Sequence, residues 1–233
     1  MIPCVSVANM RSSDAYTIAN FVPSLELMYR AAWGIFKAVS WKGSVAIVTG
    51  SGNNGGDGFA LACILNAQGI GCTIFTVSER LSGDSAYYAK QAEHQNIEKK
   101  GFTPGCLAGY SIVVDCLLGT GFQGQIREEY RTAIENINAS GGYVVSADIN
   151  SGMNGDTGAA EIAVRSDLTV TIGFVKKGLI EPNAGNYIKK LVCTDIGIVL
   201  EREEYWIADK NRAESSANLQ CPEWLDMNVQ KAY

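Results

Sequence analysis

Short unbroken apolar runs alternate along this chain with stretches of helical period. Val45–Val48 (VAIV), Cys72–Val77, Ser111–Leu118 (SIVVDCLL), Gly142–Ala147 (GYVVSA), Leu168–Ile172 and Lys190–Cys193 read as strands. They lack the polar alternation of a half-exposed strand, as expected where both faces of a parallel sheet are covered. Between them lie predicted helices: Ser24–Ser40, Phe59 to about Gln68, a polar segment over Asp84–Lys99, and Glu128–Ala139. In the first of these, Leu25, Leu27, Met28, Ala31, Ala32, Ile35, Phe36 and Val39 recur at helical spacing and form a stripe suited to packing on the sheet. Gly69-Ile70-Gly71 stops the second. Residues 5–20 hold a short apolar start and then a polar helical segment, with Ser12, Ser13 and Asp14 as candidate caps. Strands alternating with helices predict right-handed βαβ units and a mostly parallel sheet between helical layers, an α/β fold.

Glu201–Tyr233 changes character, mixing EREE with Trp206 and Trp224. We therefore expect a domain over 1–200 and a C-terminal extension over 201–233 that packs on that domain or on a neighbour. A chain of 233 residues suits one large domain with an appendage. The net charge of −5 argues against nucleic acid as the main partner. No apolar run approaches the roughly 20 residues of a membrane span, and the N-terminus does not read as a secretory signal. The seven cysteines are odd in number and form no CxxC pair, so a reducing cytoplasm is the expected location and a zinc site is not expected. The single histidine, His94, sits in a polar stretch and reads as a surface residue. Without it, Ser-His-Asp and Cys-His mechanisms have no base.

The chemistry concentrates after three apolar strands. VAIVTGSGNNGGDGF (45–59) runs strand, glycine loop, helix, with five glycines (Gly50, Gly52, Gly55, Gly56, Gly58) within nine residues. Glycine admits positive φ and close approach of a ligand to the backbone, and a helix opening there favours an anion such as phosphate. Gly50, Gly52 and Gly55 match the dinucleotide fingerprint loosely. Asn53 and Asn54 add amides. Asp57, placed near the helix start, suits a sugar hydroxyl, a cation or a moving proton better than a bare phosphate; a capping role without chemistry is the alternative. Asp115 lies inside SIVVDCLL, where a buried carboxylate must be paired, hydrogen-bonded or bound to a cation. It is followed by GTGFQGQ (119–125). Asp148 begins DINSG (148–152) at a strand's carboxyl end, a usual place for a general acid or base. In open α/β sheets ligands bind outside such strand ends, so the three loops are expected to line one crevice.

Taken together, GSGNNGGDGF (50–59), VDCLLGTGFQG (114–124), DINSGMNGDTG (148–158), SDLTVTIG (166–173), KKGL (176–179) and DIGI (195–198) resemble the YjeF N-terminal domain family, the NAD(P)H-hydrate epimerases. The resemblance implies a Rossmann-like three-layer α/β/α sandwich. It also implies an isomerase for metabolite repair. The substrate would be hydrated NADH or NADPH (NADHX, NADPHX), whose R and S epimers are interconverted so that a separate dehydratase specific for the S form restores the cofactor. Carried onto this chain, substrate contacts fall on Asn53, Asn54, Gly55, Gly56, Asp57, Gly119, Thr120, Gly121, Phe122, Gln123, Gly124, Gln125 and Asp148. A potassium ion falls on Asn54, Asp115 and Ser151. Asp148 is the expected proton-transfer group, with Asp57 second, and Lys176 has a family counterpart without an assigned role. A homodimer is also implied. The chain ends soon after DIGI, so a fused dehydratase domain is not expected.

The departures are Asn150, where the family's DIPSG has proline, and Tyr29, where relatives often carry glutamate. The first is expected to loosen the loop that holds Asp148 and Ser151. Two rival readings are an ordinary NAD(P)-dependent oxidoreductase, for which no Ser-Tyr-x-x-x-Lys or His-based site is visible, and a non-catalytic nucleotide-binding or scaffold module of the same fold. Retention of Asp57, Asp115, Asp148, Asn54 and Ser151 counts against the second.

Overall fold

The structure, a computed structural model, describes residues 1–81, 83–122, 124–207 and 219–232. In chain order its elements are β1 (Ile2–Val5), α1 (Val7–Asn20), α2 (Ser24–Ala38), β2 (Val45–Thr49), α3 (Asn53–Ala67), β3 (Cys72–Thr76), α4 (Gly83–His94), β4 (Glu98–Gly101), β5 (Ile112–Cys116), α5 (Glu128–Asn138), β6 (Tyr143–Ala147), β7 (Leu168–Ile172), β8 (Val175–Lys176), β9 (Leu191–Asp195), β10 (Tyr205–Ile207) and β11 (Gln230–Lys231). Eight strands form one sheet in the order β11-β9-β7-β6-β5-β2-β3-β4, and every neighbouring pair is parallel. Beside it, β10-β1-β8 make a small sheet in which β10 runs antiparallel to β1.

The central strands owe their unbroken apolar runs to helices on both faces. Val45 and Ile47 of β2 face one core with Leu27, Met28, Ala31, Ala32 and Ile35 of α2 and the buried length of α3. Ala46 and Val48 face the other core, with Tyr130, Ala133, Ile134 and Ile137 of α5. Ile134 and Ile137 are fully buried, and each such side chain contributes about 1.5–3 kcal/mol through removal from water. Three layers result: α2–α4, the sheet, and α5. Helix α3 is buried from Asn54 to Leu65, whereas Ser51, Gly52 and Asn53 at its entrance are exposed.

Two local expectations change. Helix α1 is capped by Ser6, whose Oγ accepts from the Asn9 amide at 3.2 Å, so Ser12, Ser13 and Asp14 lie inside the helix and do not cap it. The polar segment after Asp84 is helical only to His94. Glu98–Gly101 instead forms an exposed edge strand, whose charged residues give no apolar signal and suit an unpaired sheet edge. Within the C-terminal extension, β10 pairs with β1 and β11 with β9. Trp224 Nε1 donates to the Leu179 carbonyl at 3.0 Å, and Trp206 pairs through its backbone opposite Pro3. No helix among the described residues is long and apolar enough to cross a membrane.

Candidate functional site

The strand order reverses between β2 and β5, which opens a crevice at their carboxyl ends. The loops after β2, β5 and β6 meet there. None of the five glycines of 50–58 has positive φ; close packing selects them. A Cβ on Gly50 would stand 2.1 Å from the Leu117 carbonyl oxygen, and one on Gly55 2.2 Å from the Gly50 carbonyl oxygen. Gly55 and Gly56 therefore shape the loop and do not line the crevice. Helix α3 starts at Asn53 after Gly52, which supplies no side-chain cap, so its first-turn amides have no intrahelical acceptor. Asp57 is the fifth residue of α3, beyond the first turn. Neither the capping role nor stabilisation at the helix end applies to it.

Asp148 is the centre of the site. Its backbone has φ 65°, a left-handed conformation that Asp tolerates better than most side chains and that costs on the order of 1 kcal/mol. The conformation is held by the Asp148 amide donating to the Val170 carbonyl at 2.8 Å and by Oδ1 accepting from the Ile172 amide at 3.3 Å. Lys176, on β8, completes the clamp: its Nζ donates to Asp148 Oδ1, to the Ile172 carbonyl at 2.6 Å and to Thr171 Oγ1 at 3.1 Å. The Lys176 side chain is 1% exposed and that of Asp148 14%. The sequence shows two lysines in succession after an apolar run, and nothing local says which one is buried.

Two further carboxyls face the same space. Burial pushes the Asp57 carboxyl well above the ordinary carboxylate range, the charges of Asp148 and Asp14 push it further, and Lys176 opposes them. Asp57 makes no hydrogen bond among the described residues, and its burial favours the protonated form, which can donate. Asp14 of α1 is raised too, first by burial and then by Asp148. It lies one turn beyond the buried Met10, the one signal that it faces inward.

Beneath the glycine loop lies Asp115, fully buried. It accepts from Ser151 Oγ at 2.5 Å, the Ser151 amide at 2.9 Å, Ser146 Oγ at 2.9 Å and the Leu117 amide at 3.2 Å. Burial raises its carboxyl against the pull of these four donors. Asn54 differs: both its side-chain oxygen and its nitrogen are buried without a partner. It sits against Gly119, where a Cβ would come within 3.2 Å of Asn54 Cβ and 3.7 Å of Asp148 Oδ2. A buried amide left open in this way marks a place for a ligand. No group of three or more His, Cys, Asp or Glu side chains that could hold a metal occurs among the described residues.

The crevice has two adjoining lobes of about 150 and 440 Å³. Arg11, Asp14, Asn53, Asp57, Thr120 and Asp148 line both. The smaller lobe continues along an apolar wall of Leu27, Met28, Ile172, Ile196 and Ile198 above Lys176, and the larger along Ser51–Asn54 and Leu117–Phe122. Gly124 lines a separate cavity, Gln125 is exposed and lines neither lobe, and Gln123 lies outside the described residues. Of the polar lining residues, Arg11 carries no expectation from the sequence, Asp14 is expected only as a helix cap, and Lys176 has a family counterpart without a role.

Asn150 does not loosen its loop. It is fully buried, its Nδ2 reaches the carbonyls of Val164 (2.9 Å) and Tyr187 (3.2 Å) and Ser166 Oγ (3.0 Å), and its Oδ1 accepts from Thr169 Oγ1 at 2.6 Å. Tyr29 is 40% exposed, packs edge-on against Trp33 and lines neither lobe. His94 is exposed at the end of α4.

Residues 24–178 match the family model described as YjeF-related protein N-terminus. A protein named NAD(P)H-hydrate epimerase from Limosilactobacillus fermentum is 33% identical over 199 residues, which cover 82% of this chain and 95% of that protein. Another of that name from Rhodopirellula baltica is 34% identical over 211 residues, 86% of each chain. A Coxiella burnetii protein named bifunctional NAD(P)H-hydrate repair enzyme Nnr is 33% identical over 196 residues, 81% of this chain and 40% of its own length. The crystal structure of the yeast protein ynu0 superposes with a TM-score of 0.71 at 19% identity, covering 91% of this chain and 97% of that one, and so shares its fold.

Proposed function

The chain belongs to the family of YjeF-related protein N-termini, and we propose that its crevice interconverts the R and S epimers of hydrated NADH and NADPH, in repair of the nicotinamide cofactor. Relatives that carry the epimerase name along nearly their whole length support this reading. The observation that carries it is Asp148, clamped by a buried lysine at a strand end and sharing the crevice with the buried Asp57 carboxyl.

The reacting carbon bears a hydroxyl and the ring nitrogen. Its configuration is lost when the bond to the ring nitrogen opens: the hydroxyl oxygen gives up its proton and becomes a carbonyl oxygen, the bonding pair passes to the nitrogen, which takes a proton, and closure reverses both transfers. Asp148 is the group that takes and returns the hydroxyl proton, with Lys176 fixing its direction. Asp57, whose protonated form burial favours, is the donor for the nitrogen. Two carboxyls that share one crevice in different surroundings are a usual arrangement for acid–base work. The reduced ring, partly apolar, takes the smaller lobe. The diphosphate takes the larger one, beside Thr120 and the first turn of α3.

Potassium fits the donor set. Asn54 offers an unpartnered buried amide oxygen, Asp115 a carboxylate and Ser151 a hydroxyl, hard oxygens that suit an alkali cation better than a transition metal. Bound there, the ion would supply positive charge beneath the glycine loop. The relatives named bifunctional repair enzymes support partnership with a dehydratase. The odd count of seven cysteines supports a reducing compartment such as the cytoplasm.

The test is restoration of cofactor. A mixture of epimers incubated with an S-specific dehydratase recovers only its S fraction as NADH. Adding this protein should extend recovery to the R fraction, read as NADH absorbance. An R fraction that persists would refute the proposal.

A further inference from the structure

Arg11 comes from α1, which supplies none of the three strand-end loops, yet it reaches across the crevice. Its Nη2 donates to the Thr120 carbonyl at 2.7 Å, and it lines both lobes. The described lining residues include four carboxyls (Asp14, Asp57, Asp84 and Asp148) and two cations, Arg11 and Lys176. Lys176 is buried and committed to three acceptors. An anionic ligand entering an acid-lined cleft therefore has one exposed cation to meet.

Arg11 is prepared for that role. A guanidinium carries five N–H donors in a planar fork that matches phosphate oxygens two at a time. The bond to Thr120 uses a neutral acceptor and leaves the charge uncompensated. Asp14, one helical turn away, forms no ion pair with it among the described residues. In the loop that Arg11 touches, the amides of Gly119, Thr120 and Gly121 donate to no group among the described residues. The guanidinium is thus tethered at the edge of a loop whose own donors are open.

We infer that Arg11 is the residue that grips the diphosphate of the dinucleotide, completing the anion site from the α1 side next to the Gly119–Phe122 loop. It acts on binding and orientation and takes no part in proton transfer. This rests on the dinucleotide reading above and names the recognition residue that reading lacks.

The experiment compares wild type, Arg11→Gln and Arg11→Lys on two substrates: the R epimer of hydrated NADH, and hydrated dihydronicotinamide riboside, which has no phosphate. Glutamine keeps a shorter, neutral amide donor and removes the charge and the fork. Arg11→Gln should raise KM for the dinucleotide about tenfold or more, as expected for loss of a charge-assisted fork, with kcat within about twofold and KM for the riboside unchanged. Arg11→Lys should recover part of the loss. An equal rise in KM for both substrates would show that Arg11 only tethers α1 to the loop and would overturn the inference, as would a fall in kcat at constant KM. Should wild type turn over neither substrate, the epimerase reading fails by itself. Fluorescence titration with NADH and with dihydronicotinamide riboside then reads the same contrast without chemistry. Absence of NADH binding, or binding indifferent to Arg11→Gln, overturns the inference.

Discussion

Replacing Lys176 with methionine keeps the aliphatic stem in the core and removes only the ammonium. Three acceptors lose their donor at once: Asp148 Oδ1, the Ile172 carbonyl and Thr171 Oγ1. With side-chain exposures of 1% and 14%, the pair belongs with buried ion pairs, whose breakage by deletion of one partner costs about 3–5 kcal/mol. Surface pairs, by contrast, are worth about 0–1 kcal/mol. For a chain of this size each kcal/mol shifts Tm by about 2–4 °C, so Lys176→Met should melt roughly 10 °C below wild type. Urea unfolding of Lys176→Met, Asp148→Asn and the double variant separates the pair from its surroundings. Asp148→Asn should be much less harmful once Lys176 is gone, with a coupling on the order of 2 kcal/mol. A Lys176→Met variant destabilised by less than about 1 kcal/mol, or additive single effects, would refute the claim that these two groups form one buried unit.

Three other outcomes are expected. The Asp57 carboxyl is raised in the folded state by burial and by Asp148 and Asp14; its contribution to stability is therefore full below its unfolded value of about 3.9 and is lost as pH rises through the folded value. Asp57→Asn should then be more stable than wild type at neutral pH, on the order of 1 kcal/mol, with the advantage shrinking towards pH 4 and activity falling about a hundredfold or more. Calorimetric scans at the two pH values check this, and an Asn variant less stable than wild type at neutral pH contradicts it. Asn150→Ala leaves Thr169, Ser166 and two carbonyls short of partners and should lower urea stability by about 2–3 kcal/mol; a loss below the error of the fit would mean that the loop is held by other means. Melting in potassium chloride should exceed that in tetramethylammonium chloride at equal ionic strength, as a ligand of the folded state requires. Asn54→Ala should abolish the difference, and equal melting of wild type in both salts would remove potassium from the site.

The parallel strands were legible because burial on both faces leaves a continuous apolar run, as in Val45–Val48 and Ile112–Val114. Glu98–Gly101 was not, since all four residues are exposed and edge pairing has no apolar signature. The strand-end loops were legible as one crevice from position alone, yet the role of their glycines was misread. A short Cβ-to-carbonyl distance such as that at Gly55 depends on where the chain returns, which no local pattern records. The same holds for Asn150, whose side-chain partners lie 14 to 37 residues away. Arg11, Asp14 and Lys176 reach the site from elements that flank the strand ends, α1 and β8. Their neighbours in sequence carry no hint of it, whereas Asp57, Asp115 and Asp148 advertise themselves as carboxylates set among apolar residues and glycines.

The most direct measurement is conversion of the purified R epimer of hydrated NADPH to the S epimer, followed by chromatography in potassium buffer, with wild type and Asp148→Asn side by side. Wild type should equilibrate the epimers rapidly, and a folded Asp148→Asn should fall close to the spontaneous rate. Wild type no faster than buffer would contradict the epimerase assignment, and an Asp148→Asn variant as fast as wild type would remove the proton transfer from Asp148.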